Sequence, residues 1–200
     1  MLDSRSVANG QRRAVARSDA HDDARLIGRI VAKDLRAFET LYRAYHPRLT
    51  RFLINMIHRP QLVEEVLNDT MMVVWNQPDR YNGASKVSTW IFAIAYRKAL
   101  NALRRRDEPM EDKFAESRES LEANPEQQLG QQQVHHVLRD AMGELSADHR
   151  AVVDLTYFHE IGYGEIAEIM ACPVDTVKTR MFHARRHLKR KLAGSLADWL

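Results

Sequence analysis

The stretch "YGEIAEIMACPVDTVKTRMFHARR", residues 163–186, carries two amphipathic patterns separated by three residues. Ile166, Ala167 and Met170 give the first pattern an apolar face; Val174, Val177, Met181, Ala184 and Leu188 give the second one, at the three- and four-residue steps of an α-helix. Ala171, Cys172 and Pro173 between them predict a tight turn. Two helices meeting across so short a turn make a helix-turn-helix, in which a small residue such as Ala167 permits a close crossing. The opposite face of the second helix presents Thr176, Lys178, Thr179, Arg180, Phe182, His183 and Arg186. Nearly all of these donate hydrogen bonds or meet a thymine methyl, which is what a helix in a DNA major groove must do. Lys178 and Arg180 suit guanine. Arg185, Arg186, Lys189, Arg190 and Lys191 lie further along, where phosphate contacts set affinity and register.

Two other readings of the same stretch are weighed against this one. A run of Lys and Arg also makes an ordinary solvated helix face, but the preceding helix and turn favour DNA. Cys172, His183 and His187 raise the question of a metal centre, yet a structural zinc site wants four ligands, and no second Cys or carboxylate stands nearby at a telling spacing. A lone Cys between apolar faces usually behaves as a small hydrophobe. His135, His136 and His159 read as surface or satisfied core residues. No catalytic arrangement emerges from spacing, so the chain is expected to be neither an enzyme nor a cofactor or metal protein.

Outward from this stretch, the 200 residues are 44% hydrophobic and 28% charged, ordinary values for a soluble globular chain. The net charge of +3 does not by itself identify a polyanion partner. One Cys cannot form an internal disulfide, and no apolar run is long enough for a signal peptide or membrane span, so a cytoplasmic protein without membrane insertion is expected. Residues 1–24 read as a disordered tail. From there Leu35, Phe38, Leu41, Tyr42, Tyr45, Leu49, Phe52, Leu53 and Met56 form one helical stripe, with Pro47 inside it predicting a kink or two abutting helices. Pro60 opens the next helix, Pro78 closes it, and a long helix follows from near Ser88, a plausible N-cap, to Arg104, Arg105 and Arg106. Residues 25–106 thus make one helical bundle. Residues 107–130 are acidic, broken by two prolines, and read as a flexible linker. A second bundle occupies 131–192, followed by a short tail at 193–200. The expected fold is all-α: two small helical bundles, each marginal alone, joined by a flexible acidic linker, the second containing the helix-turn-helix.

Between 80 and 106 the first bundle carries a different chemistry. Arg80, Lys86, Arg97, Lys98 and Arg104 to Arg106 supply charge, Tyr81, Trp90 and Tyr96 supply aromatic faces, and Asn82 and Ser85 supply groups that read a base edge. A basic groove with stacking platforms is how single-stranded DNA is held, at about 1–3 kcal/mol per stacked base. Trp90 and Tyr96 belong either to that platform or to the core.

These segments in order resemble a known family. "VEEVLNDTMMVVW" with "ASKVSTWIFAIAYRKALNALRRR" is similar to region two, and "EIAEIMACPVDTVKTRMFHAR" to the region-four helix-turn-helix, of bacterial sigma factors of the extracytoplasmic function (ECF) type. The resemblance implies a promoter-specificity subunit that joins core RNA polymerase, acts in a stress response and is held inactive by an anti-sigma factor. It implies that Lys178, Thr179, Arg180, Phe182 and His183 read the −35 element as duplex. It places Asn82, Ser85 and Lys86 around a flipped base of the −10 element, and Ser88, Thr89, Trp90, Arg97, Asn101 and Arg104 along the opened strand. Glu64, Glu65, Asp69, Met72 and Trp75 match the face that grips the polymerase, although Met71 and Met72 replace the bulky aromatic often found there. No small-molecule substrate is implied. The competing readings are a helix-turn-helix regulator, which would bind duplex DNA without polymerase, and a nucleic-acid enzyme, for which no acidic metal cluster or nucleophile motif is evident.

Overall fold

The computed structural model describes residues 22–107, 138 and 140–197. Helix α1 spans 22–31, α2 Leu35–Ile57, α3 Pro60–Asn76, and α4 Val87–Asp107, with a 3-10 turn at Pro78–Arg80 before α4. After the linker, a helical segment ending at 143 (α5) leads to α6 Ala147–Tyr157, α7 Tyr163–Met170 and α8 Val174–Ala197. No strand occurs among the described residues. Helix α1 begins within the segment read as tail, and α8 continues into 193–200. The segment 108–130, read as part of the linker, lies outside the described residues.

Local chemistry explains each boundary. Lys33 takes a left-handed conformation (φ 61°), and Asp34 then caps α2, its Oδ1 accepting from the N–H groups of Arg36 (3.0 Å) and Ala37 (3.2 Å). Arg29, followed by those N–H groups, holds the Asp34 carboxyl below the usual carboxylate range. Helix α2 runs unbroken through Pro47. Pro47 is exposed, so the carbonyl deprived of its partner one turn earlier stands on the water side of the helix. Leu35, expected in the buried stripe, is instead 65% exposed at the first turn of α2. Pro60 is the first residue of α3, where its missing N–H is harmless. Ser88 is the second residue of α4 and not its cap; the ladder starts from the Lys86 carbonyl, which accepts from Trp90 N–H at 3.1 Å.

The two halves are not separate beads. Helices α2, α3 and α4 pack together, as do α6, α7 and α8, but α4 also lies on α7 and α2 on α6. A single apolar cluster runs through Phe52, Met56 and Phe92 of the first bundle and Leu155, Ile166 and Met181 of the second. Each half alone would leave part of its apolar surface wet; joined, they bury it. A polar seam crosses this contact. Asp154, fully buried, accepts a hydrogen bond from the Asn55 amide, and His159 Nε2 lies 3.1 Å from its other oxygen. The His159 ring meets Phe92 and Phe52 edge-on, at 4.8 and 6.2 Å between centroids. Arg150 donates to the Met56 carbonyl at 2.8 Å, satisfying one of the acceptors that the end of α2 leaves open.

Candidate nucleic-acid interface

The helix-turn-helix forms where the quoted stretch places it. Ala171 ends α7 in a left-handed turn (φ 50°), Cys172 N–H returns to the Ala167 carbonyl at 3.0 Å, and the Pro173 carbonyl accepts from Thr176 N–H at 2.9 Å. Val177, Met181 and Ala184 are buried and Leu188 half-buried, which sets the rotation of α8. Val174 departs from the expected buried face: in the opening turn of α8 it is 39% exposed.

The opposite face carries Lys178, Thr179, Phe182, His183 and Arg186, all exposed, with Phe182 at 62%. Thr176 and Arg180 are half-buried. Two of the seven bind Asp175 on the same helix: Thr179 Oγ1 donates to its carbonyl and Lys178 Nζ to its carboxylate, each at 2.9 Å. Arg180 is held from below by an ion pair with Asp148 and passes 3.8 Å from Cys172 Sγ. His149 adjoins His183, and its own burial, followed by the charges of His183 and Arg180, pushes its pKa down. Cys172 Sγ lies 3.8 Å from the Arg180 guanidinium, and His187 Nε2 lies 3.3 Å from Glu144. Among the described residues no cluster of three His, Cys, Asp or Glu side chains forms.

On the first bundle, Trp90, Arg97 and Asn101 converge on a pocket of about 250 Å³ that Val73, Ile94, Arg80 and Lys98 complete. Arg80 and Lys98 were legible only as part of the general charge of the segment. Arg104, exposed on α4, lies one turn beyond Asn101. Trp90 is half-buried and tilted against Tyr81 at 5.5 Å, so one part of the indole is core and another is pocket wall. Tyr96 resolves as core: it is 3% exposed, and its hydroxyl donates to Asp148 Oδ1 at 2.7 Å. Burial, reinforced by that carboxylate, raises the Tyr96 pKa well above the usual phenol range.

The loop before α4 is closed by its own hydrogen bonds. Gly83 takes φ 75°, Asn82 Oδ1 accepts from Ala84 N–H at 3.0 Å, and the Tyr81 hydroxyl donates to the Ser85 carbonyl at 2.7 Å. Asn82 and Lys86 stand exposed, with Ser85 and Ser88 half-buried. Thr89 is only 2% exposed, because α7 covers it. Lys86 forms an ion pair with Glu165 of α7, and Thr89 Oγ1 donates to the same carboxylate at 3.3 Å.

Glu64, Glu65, Asp69 and Met72 line an exposed face of α3, and Asp69 pairs with Lys98 at 3.0 Å. Trp75 is half-buried, tilted against Phe38 at 5.1 Å and capped by Lys33 Nζ 5.2 Å from its ring centre. An apolar groove of about 650 Å³ opens on the second bundle between Leu138, Met142, Val153, Leu188 and Leu192, rimmed by Arg185 and Lys189. No helix among the described residues is long and apolar enough to cross a membrane.

Residues 41–108 match the family model described as Sigma-70 region 2, and residues 135–188 the model Sigma-70, region 4. Among curated relatives, the RNA polymerase sigma-H factor of Pseudomonas aeruginosa is 28% identical over 186 residues, covering 88% of this chain and 96% of the relative. The ECF RNA polymerase sigma-E factor of Haemophilus influenzae is 27% identical over 180 residues, covering 85% and 95%. Among solved structures, the Bartonella quintana sigma factor RpoE, in a co-crystal with the anti-sigma factor NepR, superposes with TM-score 0.63 at 26% identity, covering 78% of this chain and 96% of that one. CnrH, in complex with the cytosolic domain of CnrY, shares the fold with TM-score 0.62 at 20% identity, covering 86% and 98%. With both regions in order and relatives matched almost end to end, the chain belongs to the sigma-70 family, as a sigma factor of the ECF type.

Proposed function

We propose that the chain binds core RNA polymerase, carries it to promoters and uses its two halves for two states of DNA. The observation that carries this reading is the pairing, in one chain, of an exposed helix-turn-helix face (Lys178, Thr179, Phe182, His183, Arg186) with a basic, Trp-walled pocket (Arg80, Trp90, Arg97, Asn101). The first suits the edges of paired bases in a major groove. The second suits a separated strand, where stacking adds about 1–3 kcal/mol per base. In this reading α8 reads the −35 element, with Arg180 and Thr176 at the edge of the face. Asn82, Ser85 and Lys86 take an extruded base of the −10 element, and Ser88, Thr89, Trp90, Arg97, Asn101 and Arg104 line the strand beyond it.

Opening needs no hydrolysis. Extruding a base costs a few kcal/mol, and a site that binds only the extruded form shifts the equilibrium by its differential affinity. The internally hydrogen-bonded loop at 81–86 supports such a role, since a preordered site loses little entropy on binding. Glu64, Glu65, Asp69, Met72 and Trp75 form the face offered to the polymerase, an apolar anchor within acidic residues. An anti-sigma factor is the proposed regulator, supported by the anti-sigma complex of the related RpoE. The division at residues 25–106 and 131–192 assigns one DNA state to each half.

Transcription with purified core polymerase over a promoter library tests the proposal. Discrete start sites that depend on the chain are expected, and Asn82→Ala with Ser85→Ala should spare −35 recognition while reducing permanganate reactivity of unpaired thymines. Duplex binding with the symmetry of a dimer, and no change in start sites with core, would establish a regulator instead.

A further inference from the structure

Beside the α8 face proposed to read DNA stands a residue of another helix. His149, the third residue of α6, packs its ring against the His183 ring at 6.4 Å between centroids and nearly at right angles (74°). His183 is exposed on the α8 face, and Phe182 borders it at 5.5 Å. The two imidazoles therefore form one edge of that face, one carried by each helix.

The hydrogen bonds of His149 fix which nitrogen is engaged. Ser146 Oγ caps α6 by accepting from the His149 backbone N–H at 3.4 Å, which leaves its own hydrogen to donate to Nδ1, 2.7 Å away. In the neutral ring the proton then sits on Nε2, a donor with no hydrogen-bond partner among the described residues. The surrounding charges keep the ring neutral. Burial, followed by the charges of His183 and Arg180, lowers the His149 pKa; the adjacent Asp148 opposes this, and His187 adds a smaller push downward. Asp148 is already engaged by Arg180 and by the Tyr96 hydroxyl of α4, and His187 by Glu144 at 3.3 Å. A DNA phosphate brought to this edge reverses the balance: it supplies the acceptor that Nε2 lacks and a negative charge that favours the imidazolium form of both rings.

We infer that His149 is a further DNA-contacting residue, lying outside the helix-turn-helix, and that with His183 it forms a phosphate-binding edge that takes up a proton as promoter duplex docks. The inference rests on the assignment of α8 to the −35 duplex made above. A group that binds more protons in the complex than in the free chain makes affinity rise as pH falls, by at most about ten-fold per pH unit for each proton taken up.

The full chain, assembled with purified core polymerase, is titrated against a labelled duplex carrying the −35 element selected from the promoter library. Between about pH 8 and about pH 6, wild-type affinity by anisotropy should rise about ten-fold. His149→Gln keeps a side-chain donor but cannot titrate, and should cut the rise to about three-fold or less. His183→Gln should do the same, whereas His46→Gln on α2 should keep the wild-type rise. At the acid end, His149→Gln should also lower the slope of log affinity against log salt by about one. Calorimetry of the wild-type protein in two buffers of different ionisation enthalpy should count about one proton taken up per duplex bound, a readout that needs no variant to fold. A count of zero, or a wild-type rise retained in His149→Gln, overturns the edge. Sequence-specific binding with those results would remove the edge alone. Failure of the wild-type protein with core to bind the duplex at any pH would remove the −35 assignment and the edge with it.

Discussion

Arg180 illustrates how a residue proposed to read DNA is prepared. The Asp148 ion pair fixes the guanidinium at the rim of the α8 face, half-buried beside exposed Lys178 and Phe182. Arg180→Ala should lose about 1–3 kcal/mol at one base pair of the −35 element and relax discrimination there, checked by competition among duplexes altered one position at a time. Equal loss on every duplex would make it a phosphate contact. His58 shows a second residue-scale effect. It ends α2 in a left-handed conformation (φ 57°), and desolvation, followed by the Arg150 charge, pushes its pKa below the ordinary 6.5. Its folded form thus binds fewer protons than its unfolded form, so the stability it contributes is present above about pH 6.5 and lost as pH falls through the depressed pKa. Denaturant midpoints should decline below pH 6.5, and His58→Asn, which keeps the backbone conformation without the titration, should remove part of that decline, the remainder belonging to His149, whose pKa is lowered in the same direction.

At the scale of the element, the helix-turn-helix depends on one strained junction. Ala171 carries a Cβ at φ 50°, a conformation that costs an L-residue about 1–2 kcal/mol and glycine almost nothing. Because glycine also gains freedom in the unfolded chain, Ala171→Gly should raise stability by at most about 1 kcal/mol, and Ala171→Val should lower it, both read as shifts in thermal midpoint. The turn itself was readable, since Pro173 and the apolar steps on either side leave little alternative. The start of α4 was not. Ser88 has the chemistry of a cap, but Tyr81, Gly83 and Asn82 hold the loop in a shape that lets the helix begin at Val87. Pro47 likewise signals a break that α2 does not make, because that side of the helix faces water.

For the whole molecule, the continuous cluster from Phe52 and Phe92 to Leu155 and Ile166 couples two bundles that would be marginal apart. Thermal unfolding of the wild-type chain should therefore be a single cooperative transition by calorimetry. Asn55→Asp, by parting the seam, should split it into two transitions at lower temperatures. A single undiminished transition in that variant would show that the halves do not depend on each other. The reading of His159 as surface or satisfied core resolves here as core: its carboxylate neighbour Asp154 is local, but the Phe92 and Phe52 rings that pack on it come from across the seam, 67 and 107 positions away.

The order of amino acids alone determined most of the helices, their buried stripes apart from Leu35 and Val174, the helix-turn-helix and the α8 face proposed to read DNA, because all of these follow from spacings of three and four residues and from proline and small residues at the turns. It also placed charge and aromatics together between 80 and 106. Only the tertiary structure decided that Arg80 and Lys98 share a pocket with Trp90, that Tyr96 is core, and that Glu165 closes on Lys86 and Thr89. Those contacts join residues as much as 79 positions apart, and no periodicity along the chain encodes which face of one bundle meets which face of another.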